Sequence, residues 1–69
     1  MLINYKDVLD LVEKEKTVTV ILKESRIYNG YFISITEPNF EGDCLIELKD
    51  KKNKYIKFKL SSINILEKQ

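Results

Sequence analysis

Gly30 is the residue that most limits what this chain can fold into. It stands eight residues after Leu22, in a frame that runs Val18-Thr19-Val20-Ile21-Leu22-Lys23, turns at Glu24-Ser25 and returns as Arg26-Ile27-Tyr28-Asn29-Gly30-Tyr31-Phe32. Two runs rich in β-branched and aromatic residues, separated by a short polar stretch, read as paired strands. Glycine weakens a strand interior, so one placed inside the second run marks a sharp bend or a close approach of another backbone. Paired strands with such a bend are how a small sheet rolls up into a barrel.

The rest of the chain supplies the other pieces. Before the strands, Tyr5, Val8, Leu9 and Val12 fall at i, i+3, i+4 and i+7, one face of a helix over about residues 4–14. Asn4 suits the N-cap, Asp7 the positive end of the helix, and Ile3 with Val8 the hydrophobic staple. From Thr17 the period becomes two: Val18, Val20 and Leu22 share one side of strand one. Strand two runs from Arg26 to about Thr36. Tyr28, Gly30 and Phe32 share a parity that Ile33 and Ile35 do not, which predicts a bulge just after Gly30. Residues 37–43 form a loop, and strand three turns Cys44, Ile46 and Leu48 inward. Asp50-Lys51-Lys52-Asn53 is a tight turn with Asn53 left-handed. Strand four turns Ile56, Phe58 and Leu60 inward, Ser61-Ser62 breaks it, and Ile63–Leu66 is a fifth strand. The expectation is one domain over residues 1–69, mainly β with an N-terminal α-helix, whose five strands, over about 17–66, make a strongly bent antiparallel barrel.

Composition narrows the function. The 69 residues contain no histidine, one cysteine and two glycines. The commonest acid–base group and metal ligand is therefore missing, one cysteine builds no structural zinc site, and there is no glycine-rich phosphate loop. The expectation is no enzyme, no metal and no cofactor. Lys and Arg number 12 against 11 Asp and Glu, a net charge of +1 that exerts no global pull on nucleic acid. A lone Cys44, no long apolar run and no signal-peptide pattern lead us to expect a cytoplasmic protein without a membrane partner.

The order of elements, the Val18, Val20, Leu22, Lys23, Gly30, Phe32 and Ile35 pattern, and the later Leu60-Ser61-Ser62-Ile63-Asn64-Ile65 segment resemble the Sm-like (Sm/Hfq-type) family of small SH3-like barrels. The resemblance covers nearly the whole chain. It implies RNA binding or RNA-linked regulation, and homo-oligomers in which strand four of one subunit, here Tyr55–Leu60, pairs with strand five of the next, here Ile63–Leu66. The family's second motif, Ile-Arg-Gly-x-Asn-Ile, keeps its spacing here, but Ser61 and Ser62 replace the arginine and glycine. Thr36 stands where the family has an acidic residue. Those are the places where such proteins hold uridines. The layout also looks similar to the small bacterial inhibitors of the termination factor Rho, which implies the alternative of a protein-binding regulatory module without nucleic-acid affinity.

Two charged stretches are candidate sites. Lys49, Lys51, Lys52, Lys54, Lys57 and Lys59 crowd the hairpin of strands three and four, opposed only by Asp50. Lys51, Lys52, Lys54 and Lys57 are the candidates for phosphate contact, with Tyr55 able to stack on a base. Against this stands a plain use of lysine, protection of a sheet edge. Glu37, Glu41, Asp43 and Glu47 form an acidic counterpart, and opposite patches on one small protein suggest head-to-tail association. Tyr31 and Phe40 are candidates for an exposed aromatic contact with a base or a protein partner. Cys44 reads as an inert core residue.

Overall fold

The computed structural model describes residues 3–68. Helix α1, Tyr5–Lys14, begins at a reciprocal cap: the Asp7 N–H donates to the Asn4 side chain at 3.0 Å, and the Asn4 N–H donates to the Asp7 carboxylate at 3.4 Å. It ends at Glu15, left-handed at φ 52°, whose N–H reaches the Val12 carbonyl. The side facing the core differs from the expected stripe. Val8 and Leu11 are buried, with Ile3, Tyr5 and Val12 packed partly against the same core, while Leu9 is only half-buried. A helix turns about 100° per residue, so a core contact centred between Val8 and Leu11 leaves Tyr5 and Val12 at its flanks and turns Leu9 away.

Five strands follow: β1 Thr17–Leu22, β2 Ile27–Ile35, β3 Leu45–Asp50, β4 Tyr55–Lys59 and β5 Ile63–Lys68. They form one antiparallel sheet in the order β4-β3-β2-β1-β5. Helix α1 lies against β2. The alternation read from the sequence holds in β1, where Val18, Val20 and Leu22 are buried, and across β3, where Cys44, Ile46 and Leu48 are. These residues meet Phe32 and Phe58, whose rings stand edge to face with centroids 6.4 Å apart. Burying each such side chain contributes roughly 2 kcal/mol. The turn after β3 takes the predicted form, with Asn53 at φ 62° and the Asp50 carboxylate accepting from the N–H groups of Lys52 and Lys54.

Gly30 sits in the middle of the sheet, paired with Val18 on one side and Asp50 on the other. A Cβ there would clash with the Lys49 carbonyl oxygen and lie 2.8 Å from the Asp50 Cα and 2.9 Å from the Lys49 carbonyl carbon. The glycine thus serves a close approach of two backbones. The predicted bulge is present but further along: the β2–β3 register slips between Phe32 and Ser34. That slip carries the parity switch, letting Phe32 and then Ile35 both pack on the core.

The helix and the five-strand antiparallel sheet are as expected, but the sheet is not closed into a barrel. The sheet is open, with β4 and β5 as its two edges. It is nevertheless strongly curled. The edges of a flat five-strand sheet lie about 19 Å apart, at about 4.8 Å per strand. Yet β4 connects to β5 through the three-residue 3₁₀ turn Leu60–Ser62. Such a turn rises only about 2 Å per residue, so one corner of the sheet must fold over toward the other. Counted through the antiparallel ladders, β4 and β5 run in the same sense. Sealing the sheet would need a parallel pair, and parallel neighbours need a crossover of roughly a dozen residues or more. The short link makes β5 continue from β4 instead of folding back beside it.

The Gly30 contact yields a direct test. Gly30→Val should destabilise the fold by about 2–3 kcal/mol, because the obstacle is backbone with little room to move. For a domain of this size that lowers the melting temperature by about 10 °C or more. Thermal and urea melts that overlay those of the parent would refute the role assigned to Gly30.

Candidate nucleic-acid interface

The outward residues of the sheet line up across strands because the register is set by the buried ones. One row runs Thr17, Tyr31, Lys49, Tyr55 over β1 to β4. At its end the Lys49 ammonium lies 5.8 Å from the centre of the Tyr55 ring. A cation at that distance is attracted by the face of the ring and helps to hold it in place. Tyr55 is 61% exposed, so much of the ring remains open to solvent. In the next row Ser34, Glu47 and Lys57 are neighbours, and the Ser34 hydroxyl lies 3.4 Å from the Glu47 carboxylate.

The hairpin therefore brings together most of the residues singled out from the sequence. Lys57 and Lys59 share the outer side of β4 with Tyr55, and Lys51, Lys52 and Lys54 stand exposed on the turn before it. Glu47 opposite Lys57 interrupts the positive surface, which the linear lysine count did not reveal. Tyr31 and Phe40 do not form one patch. Tyr31 is half-buried in the row beside Lys49. Phe40 stands fully clear of the protein on the β2–β3 loop, its exposure 102% of the reference value.

That loop is ordered by two residues whose importance the sequence did not signal strongly. The Asn39 side-chain oxygen accepts from the N–H groups of Glu41 and Asp43, and its own N–H donates to the Asp43 carbonyl. Asp43 in turn accepts from the Cys44 N–H at 2.9 Å, the Ser61 N–H at 3.0 Å and the Ser61 hydroxyl at 2.7 Å. These bonds to Ser61, above all the one from its hydroxyl, hold the Asp43 carboxyl below its usual range. Ser61 is thus bound to this loop. A cleft of about 230 Å³ beside it is lined by Lys23, Glu24, Ser61 and Ser62. Burial raises the Cys44 thiol, which disfavours the reactive thiolate.

Among the described residues no cluster of potential metal ligands is present, and no helix is long and apolar enough to cross a membrane. Compared with protein-family models, curated proteins and solved structures, the chain matches none.

The Asp43–Ser61 bonds carry a pH dependence. A carboxyl whose folded pKa lies below its unfolded value, about 3.9, stabilises the fold above that value. The contribution disappears as pH falls through the lowered folded pKa. The melting temperature of the parent should therefore drop on acidification below about pH 4 more steeply than that of Asp43→Asn. Parallel curves for the two proteins would show that the bonds to Ser61 contribute nothing to stability.

Proposed function

We propose that the protein is an Sm-like RNA-binding module that contacts the phosphate backbone through Lys51, Lys52, Lys54 and Lys57 and stacks a base on Tyr55. The observation that carries this reading is the exposed basic hairpin with Tyr55 beside Lys49 at its centre. Lysines neutralise phosphates as point charges, without the two-pronged recognition of arginine, so binding is salt dependent and weakly selective for sequence. Engagement of Ser61 by Asp43 argues against a uridine pocket at the second motif and moves the contact to the hairpin. The two open edges, β4 and β5, support self-association by edge pairing, which satisfies backbone groups left free by the unsealed sheet. The full exposure of Phe40 supports the second reading, a regulatory module that binds protein instead of RNA.

Titration of short uridine-rich and adenine-rich RNAs at several salt concentrations separates these readings. The parent should bind both, with affinity falling steeply as salt rises. Replacing Lys52 and Lys57 together by glutamate should weaken both RNAs alike and flatten the salt slope by roughly one unit per lost phosphate contact. A parent without affinity at low salt, or a double variant that binds like the parent, overturns the RNA reading in favour of the protein-binding one.

A further inference from the structure

Phe40 is the most exposed large apolar side chain described, and it is not on a loose loop. At the neck, the Thr36 N–H donates to the Leu45 carbonyl and the Leu45 N–H donates to the Thr36 hydroxyl. At the tip, the Gly42 N–H donates to the Asn39 carbonyl, with Gly42 at φ 83° in the left-handed region, where glycine is at ease. A phenyl ring held out in water on a braced loop costs little further ordering when it docks. The same loop carries Glu37, Glu41 and Asp43, which with Lys59 line a pocket of the loop.

The other end of β3 carries the complementary surface. A cleft of about 380 Å³ opens between the start of β2 and the β3–β4 turn, lined by Ile27, Tyr28, Asn29, Asp50, Lys51 and Lys52. Ile27 contributes an apolar wall and is 60% exposed. The Asp50 carboxylate is engaged by the N–H groups of its own turn, and Lys51 and Lys52 outnumber it, so the rim is net positive. A cavity of about 150 Å³ already accommodates benzene, so the cleft has room for a phenyl ring.

We infer that Phe40 of one copy docks into the Ile27–Tyr28–Lys51–Lys52 cleft of a second copy, with Glu37 and Glu41 of the loop against the two lysines. The occupant is a second copy because this chain itself offers both an acidic, aromatic tip and a basic, apolar cleft. The two lie at opposite ends of β3, about 20 Å apart for six residues, so no copy satisfies itself and the contact is head to tail. This interface differs from edge pairing of β4 with β5. It occupies Lys51 and Lys52, so docking and RNA binding compete for the same hairpin. It does not require the RNA reading to be correct.

Sedimentation of the RNA-free full chain over a range of concentrations tests the inference. The parent should associate as concentration rises. Phe40→Ala, which removes an exposed ring and should leave the melting temperature unchanged, should weaken association about tenfold or more, as loss of an anchoring aromatic does. Glu41→Lys and Lys52→Glu should each associate poorly alone. An equimolar mixture of the two should associate again, because every contact between unlike copies then joins opposite charges. A parent that stays a single chain, a Phe40→Ala variant that associates like the parent, or a mixture that fails to recover overturns the inference. RNA titration of the same proteins is read separately, so failure of docking and failure of the RNA reading remain distinguishable.

Discussion

At Gly30 the backbones of β2 and β3 come closer than any side chain permits, and the rest of the sheet depends on that approach. With glycine there, β2 lies between β1 and β3 in the middle of the sheet, and its register slip past Phe32 follows within a few residues. The slip turns both Phe32 and Ile35 to the core, so one long strand serves a curled sheet from end to end. Helix α1 then covers β2 with Val8 and Leu11. In a chain this small the core is slight, and each of these contacts is a large share of it.

The same geometry decides what is left outside. Inward alternation in β3 and β4 places Lys49, Tyr55 and Lys57 outward on neighbouring strands, and the tight turn held by Asp50 gathers Lys51, Lys52 and Lys54 at its end. The basic hairpin is thus a by-product of core register and turn chemistry, joined to a surface by the Lys49–Tyr55 contact. At the far end of β3 the loop is built on carboxylate and amide acceptors, with Asn39 and Asp43 drawing backbone N–H groups inward. The turn at one end of β3 is consequently rich in lysine and the loop at the other in carboxylates, although the whole chain is nearly neutral.

The Leu60–Ile63 segment serves the packing of the sheet. Leu60 and Ile63 are buried, because apolar ends are what the core requires there. Between them, Ser61 bonds to Asp43, and the Lys23 N–H donates to the Ser62 carbonyl. The segment ties the β2–β3 loop and the end of β1 to the corner of the sheet. Its serines therefore have a structural use that does not depend on any ligand.

The sequence by itself determined the features set by neighbours along the chain. Asn4 and Asp7 specified the start of the helix, alternation specified which sides of β1 and β3 are buried, and the Asp50–Asn53 run specified its turn, because caps, pleats and turns depend on residues a few positions apart. Only the tertiary structure decided the rest. Whether Leu9 or Leu11 meets the core depends on how α1 lies on the sheet, and where the bulge falls depends on the β3 partner of each β2 residue. The open edges follow from strand order and the short β4–β5 link, neither of which periodicity encodes. The same holds for the candidate site: the lysines were legible as a run, but Lys49 beside Tyr55, Glu47 opposite Lys57 and Ser61 on Asp43 join residues from different elements. Such contacts arise from register and packing between distant segments, and a linear pattern contains no distance between them.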